Sequence, residues 1–117
     1  MNILTEKPRT GAEKRAAKRA NLDKPATMRV NETETTVRIV NISTTGLGLI
    51  STEHLTPKSL AEINLNLYFY NELTHLKLTA IVVHSTPVQE QFLIGLSLCD
   101  LNPFSFRVIN QFVELHG

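Results

Sequence analysis

Between Ala61 and Phe69 the chain alternates without a break. Ala61, Ile63, Leu65, Leu67 and Phe69 fall on one side of a period-two pattern, and Glu62, Asn64, Asn66 and Tyr68 on the other, with Tyr70 continuing the second set. Successive side chains of an extended backbone point to opposite faces, so the apolar half is hidden only if this segment is a strand lying on a core. On a helix the same residues would be scattered around the whole circumference. A strand with one solvated face belongs to an antiparallel sheet, and the neighbouring segments have to supply its partners. Asn71-Glu72 reads as a tight turn, after which Leu76, Leu78, Ala80 and Val82 give the next apolar face. Ile81 and Val83 occupy the alternate face of that strand, so cover is expected on both sides.

The partners are legible on either side of this pair. Ala26 to Val30, introduced by Pro25, reads as a first strand, with a polar hairpin over Asn31 to Thr35. Thr36 to Ile42, rich in β-branched residues that suit a pleated surface, reads as the second. Leu47 to Ile50 is a short third strand, followed by a loop over Ser51 to Lys58. Pro87 falls in a turn, and Phe92 to Leu98 makes a last strand in which Gly95 marks a bulge or bend. After it the period changes. Asn102 and Pro103 form an N-cap and first helical position, and Phe104, Val108, Ile109, Phe112 and Leu115 recur at three- and four-residue spacings, which predicts an amphipathic helix from Pro103 to about Leu115. Short strands with hairpin turns and one terminal helix indicate a small all-β barrel or sandwich.

At 117 residues the chain suits one domain with a single core. It contains no apolar run near the roughly 20 residues of a membrane-spanning helix, and Met1 to Arg9 lack the apolar region of a secretory leader, so the expected location is cytoplasmic. Cys99 is the sole cysteine, which excludes an internal disulfide; it reads as a small buried apolar residue. The histidines are scattered, no carboxylate pair stands out, and Ser43 has no evident base, so neither a metal site nor a catalytic centre nor a bound cofactor is expected.

The net charge of +1 conceals an uneven distribution. Residues 1–29 carry eight cations against three acids, a net +5, whereas residues 30–117 carry four against eight, a net −4. A basic arm on a mildly acidic body points to an anionic partner, or else to a solvated tail that keeps the protein soluble. Within the arm, Glu13 to Ala20 is long enough for only a turn or two of helix, marginal in water without packing or a ligand.

Asn41-Ile42-Ser43-Thr44-Thr45-Gly46 joins the second strand to the third. Asn and Ser fold their acceptors back on nearby amides, and Gly46 is expected to supply a positive φ. Exposed N–H groups in such a turn form a concave site of positive partial charge. Taken alone, the stretch serves equally as the turn any hairpin needs.

Taken together, Arg15-Ala16-Ala17-Lys18-Arg19 and Asn41-Ile42-Ser43-Thr44-Thr45-Gly46 resemble the RxxxR and [D/N]xSxxG elements of the PilZ domain family. Their order, the hairpin between them, the Gly-Leu pairs after the second element and the terminal helix extend the resemblance over about residues 13–115. It implies a six-stranded antiparallel barrel over residues 25–100, a flexible basic arm over 13–23 and a helix over 103–115, in one domain of residues 13–117 behind a disordered tail of residues 1–12. It also implies binding of the bacterial second messenger cyclic di-GMP. Carried over, Arg15 and Arg19 would hold guanine edges and phosphates, while Asn41, Ser43 and Gly46 would line the barrel-side surface. The residue types suit this chemistry. A guanidinium pairs in a two-pronged way with guanine O6 and N7 or with phosphate oxygens, Asn41 and Ser43 can accept from guanine N–H groups, and Gly46 lets backbone come close.

Many relatives carry an arginine where this chain has Lys14, which keeps the charge and loses the planar stacking face, so one bound molecule or a stacked pair both remain open. Asn41 replaces the more frequent aspartate and keeps the acceptor. An adaptor of this kind would signal to an unidentified downstream protein in motility, pilus or biofilm control. Two alternatives stand beside it: a small nucleic-acid-binding barrel, stacking bases on Tyr68 and Tyr70, and a PilZ-like adaptor that binds no nucleotide.

Overall fold

A computed structural model describes residues 17–117. Among these, six strands form in the order β1 (Ala20–Val30), β2 (Thr33–Ile42), β3 (Gly46–Ser51), β4 (Leu60–Phe69), β5 (Glu72–Val88) and β6 (Gln91–Cys99), followed by one helix, α1 (Pro103–His116). All pairings are antiparallel, and the sheet closes into a barrel with the strand order β1-β2-β3-β6-β5-β4. The closing seam is short, joining β1 to β4 only at Thr27↔Asn64, Met28↔Ile63 and Arg29↔Glu62. The expected tail of residues 1–12, and Lys14 and Arg15 of the arm, lie outside the described residues.

The alternation at Ala61 to Phe69 sets the interior, as Ala61, Ile63, Leu65 and Leu67 are all buried. Each strand contributes at least one fully enclosed side chain, for instance Met28, Ile39, Leu49, Ile63, Leu78 and Ile94. Burying such a side chain stabilises by about 1.5 to 3 kcal/mol. Helix α1 packs on β4 and β1, with Val108, Ile109, Phe112 and Val113 buried against the core. Its start is fixed by Asn102, whose Oδ1 accepts from the Ser105 amide at 2.8 Å, with Pro103 in the first turn.

Several boundaries differ from the sequence reading. Strand β1 starts at Ala20, so Ala20 to Asp23, expected to belong to the flexible arm, are strand, with Ala20 and Asn21 paired to Ile42 and Asn41. Ala20 is buried opposite Ile42, and the Arg38 guanidinium reaches back to Asp23 at 2.5 Å. A register irregularity between Asn21 and Lys24 breaks the alternation there, which hides the strand from a periodicity argument. Pro25 is inside β1, opposite Arg38, before the pairing with β4 begins at Thr27; on that open side a missing N–H removes no ladder bond. Pro87 is likewise in strand rather than in a turn, opposite Phe92, beyond the point where β4 stops pairing with β5 at Ile81. The turns are tighter than read. Asn31 and Glu32 have φ of 52° and 68°, and Tyr70 and Asn71 have 53° and 65°, the paired positive values of two-residue turns that match strand twist.

Other side chains also depart from expectation. The outer face of β5 is uncovered, with Val83 57% exposed, because α1 lies over β4 and β1. Cys99 is only half-buried. On α1, Phe104 and Leu115 are exposed and Val113 is buried in their place. At about 100° per residue the buried face centres on Ser105, Ile109 and Phe112, and Phe104 and Leu115 fall well to one side of it.

Candidate functional site

The turn between β2 and β3 is built around one hydroxyl. Ser43 is fully buried, and its Oγ accepts from the amides of Thr45 and Gly46, both at 3.1 Å. The Ser43 amide donates to the Gly46 carbonyl at 2.8 Å, closing the loop on itself, and the Leu98 amide donates to the Thr45 carbonyl at 2.9 Å, tying the loop to β6. Gly46 is required for closeness rather than for a positive φ, which no glycine among the described residues adopts. A Cβ on Gly46 would lie 2.6 Å from the Leu96 carbonyl oxygen.

From this anchored turn, β3 runs beside β6 so that Gly48 faces Gly95. The register continues outward on both sides, with Asn41 of β2 opposite Gly48 and His84 of β5 opposite Gly95. One row therefore crosses four strands as Asn41, Gly48, Gly95, His84. The two glycines leave a floor of bare backbone, and the two polar side chains fold inward over it. The Asn41 Nδ2 atom lies 2.7 Å from where a Cβ on Gly48 would be. The His84 ring occupies the corresponding space above Gly95, with Nε2 its nearest atom.

Arg19, immediately before β1, reaches this row. Its Nη1 donates to Asn41 Oδ1 at 2.6 Å, and Nη2 lies 3.7 Å from the Cβ position of Gly46. The arm's base is held from behind by the end of α1, where a Cβ on Gly117 would be 3.0 Å from the Arg19 carbonyl oxygen and 3.3 Å from Lys18 Cε. The result is an open cleft of about 530 Å³ on the outside of the barrel, within the size range of small-ligand sites. Arg19 and Asn41 form one wall, His84 and Val83 the other, with Leu93 and Ser97 also in the lining. No carboxylate lines it among the described residues, although the body of the protein carries a net negative charge. The cleft thus pairs a guanidinium with amide and imidazole groups folded over glycine backbone, an arrangement suited to an anionic ligand.

Of the expected site residues, the structure brings Arg19, Asn41 and Gly46 together. Ser43 is adjacent but enclosed, and its Oγ already serves two amides, so it shapes the loop and does not face the cleft. Asn41 has its Oδ1 engaged by Arg19, which turns the Nδ2 donor rather than the acceptor over the floor. Gly48, His84 and Gly95 are additional. The Gly46-Leu47-Gly48 spacing was visible in the sequence, whereas the match of Gly48 to Gly95 and His84 depends on long-range register. Tyr68 and Tyr70, the candidate stacking pair, are separated in role: Lys24 Nζ sits 5.6 Å from the Tyr68 ring centre, and Tyr70 lies in the turn edge-on to Phe69 at 4.6 Å. Among the described residues no group of three or more His, Cys, Asp or Glu side chains is placed to hold a metal, and no helix is long and apolar enough to cross a membrane.

A family model described as the PilZ domain matches residues 13–115. No curated protein sequence matches the chain. Among solved structures, the fold is similar to the inhibitor of motility MotI/DgrA of Bacillus subtilis, with a TM-score of 0.76 and 13% identity, covering 93% of this chain and 51% of that one. The chain thus spans about half the length of that protein. It is also similar to the PilZ domain of YcgR from Escherichia coli solved with c-di-GMP (TM-score 0.65, 9% identity, 86% of this chain and 88% of that one). The K. pneumonia MrkH–c-di-GMP complex is a third (TM-score 0.68, 14% identity, 92% and 52%). At these identities the likeness is one of fold.

Proposed function

Because this chain belongs to the PilZ domain family, we propose that it is a cytoplasmic receptor for cyclic di-GMP whose bound form is read by a separate protein. The observation that carries the reading is the bond from Arg19 Nη1 to Asn41 Oδ1. It joins two sequence elements 22 residues apart on one cleft, at the place where the family resemblance puts the nucleotide. PilZ domains are ligand-binding receptor domains, so the activity proposed is binding and not turnover. The YcgR PilZ domain and MrkH were both solved with c-di-GMP, which supports the choice of ligand.

In this reading Arg19 binds a guanine edge or phosphate and holds Asn41 in place, and the glycines of the floor leave room for the side chains that fold over them. Lys14 and Arg15, carried by the same basic stretch, close over the ligand from the arm side, and Ser43 and Gly46 keep the floor in position. The downstream protein recognises the altered surface, with motility, pili or biofilm as the controlled process. Isothermal titration with cyclic di-GMP tests the proposal. Wild type is expected to bind, and Arg19→Ala and Arg15→Ala are each expected to bind at least tenfold more weakly, since a charged hydrogen bond contributes about 1.5 to 3 kcal/mol and about 1.4 kcal/mol is a factor of ten. No binding by wild type, or equal binding by all three, overturns it.

A further inference from the structure

We propose that His84 is a ligand contact on the second wall of the cleft, donating from its imidazole to a phosphate oxygen of the nucleotide; this rests on the cyclic di-GMP reading. Two independent features of the chain act to put the ring there. The first is in β5, where the register shifts between Val82 and His84 against β6. In regular alternation Val82 would face the interior, Val83 the solvent and His84 the interior again. The irregularity inserts one residue, so that Val82 is buried while Val83 and His84 are both exposed. A bulge of this kind re-aims a side chain, and here it takes a histidine out of the core and turns it onto the cleft. The second feature is Gly95. A Cβ at that position would overlap the imidazole, whose Cδ2 and Cε1 would lie 2.9 Å away, so only glycine leaves the space the ring occupies.

The placement mirrors Asn41. Asn41 Nδ2 and His84 Nε2 are the atoms nearest the floor over Gly48 and Gly95, at the two ends of one four-strand row. Asn41 and His84 stand on the outer strands of the row, three strand spacings or roughly 14 Å apart at the backbone, and their side chains converge over adjacent glycines, within reach of a single cyclic dinucleotide. Arg19 is the one cationic side chain lining the cleft among the described residues, and no carboxylate there competes for the imidazole. Ligand geometry divides naturally between the walls, with one phosphodiester near Arg19 and the other within reach of His84.

The test compares cyclic di-GMP titrations of the full chain carrying His84→Ala, His84→Gln or His84→Phe with wild type and Arg19→Ala. His84 is exposed, so the thermal midpoints without ligand should agree and show that every variant folds. His84→Ala is expected to weaken binding about tenfold or more, because the hydrogen bond that it removes is to a charged phosphate oxygen. His84→Gln, which keeps a donor of similar reach, should restore most of the affinity, and His84→Phe, which keeps only a flat ring, should not. Wild-type affinity in His84→Ala overturns the inference, and so does rescue by Phe with none by Gln. If Arg19→Ala loses binding while His84→Ala does not, only this inference fails. If wild type does not bind, the nucleotide reading fails and this one with it.

Discussion

Ser43 shows how a motif residue can matter to a site that it does not touch. Its Oγ accepts from two amides inside a fully enclosed turn, and Ser43→Ala would leave at least the buried Gly46 amide without a partner, a cost of about 1 to 3 kcal/mol. The expected outcome is a loss of that size in denaturant unfolding, with weaker nucleotide binding following from a loosened loop. Arg19→Ala should behave in the opposite way, changing binding strongly and the unfolding midpoint very little, because its side chain is exposed and its bond to Asn41 is not part of the core. Equal unfolding midpoints for wild type and Ser43→Ala would show that the hydroxyl is not what holds the turn. At this scale the sequence made the residue types and their spacing legible, so Arg19, Asn41 and Gly46 could be singled out in advance. It did not reveal that Gly46 answers a 2.6 Å approach of the Leu96 carbonyl, since that neighbour is contributed by a distant strand. His84 was unreadable for the same reason: its direction is set by a bulge, which a strict period-two count cannot contain.

Among the elements, the hairpins offer the cleanest prediction. Glu32 adopts a φ of 68° in the two-residue turn between β1 and β2, a left-handed conformation that costs a residue with a Cβ about 1 to 2 kcal/mol. Glu32→Gly would create the Asn-Gly pair that such turns favour. The expected result is a net stabilisation of up to about 1 kcal/mol, after the greater unfolded-state freedom of glycine is subtracted, measured as a higher denaturation midpoint; a lower midpoint would contradict the assigned turn. For the helix, Ile109 is fully buried where α1 meets the barrel, and Ile109→Ala should cost about 2 to 5 kcal/mol. Phe104→Ala, at a half-exposed position on the same helix, should cost far less. Unfolding of the two variants side by side checks whether the buried face is the one centred on Ile109. Strand β4 and the cap at Asn102 were legible because each follows one uninterrupted local rule. The early start of β1 and the long β5 were not, because irregular register and prolines on open strand edges both imitate a break.

Over the whole molecule, charge separates the favoured reading from a polynucleotide-binding barrel. Residues 30–117 carry a net −4, and the positive excess of +5 is confined to residues 1–29. A long polyanion would have to lie along the acidic body as well as the arm, whereas a cyclic dinucleotide would occupy only the cleft lined by Arg19 and His84, where no carboxylate lies among the described residues. The two cases differ in their response to salt. A protein that neutralises six to ten phosphates of duplex DNA loses about 10³ to 10⁵ in affinity between 50 and 200 mM salt, through counterion release. A ligand with two phosphodiesters, held by a few cations within a Debye length of roughly 8 to 10 Å, is screened only in part. Cyclic di-GMP affinity should therefore fall by less than about tenfold over the same interval, and single-stranded RNA should bind weakly even at the lower salt. Titrating both ligands at the two salt concentrations measures this directly. Tight RNA binding that collapses with salt, beside undetectable cyclic di-GMP binding, would transfer the basic arm from the dinucleotide to a nucleic-acid backbone and leave the glycine-floored cleft without its proposed occupant.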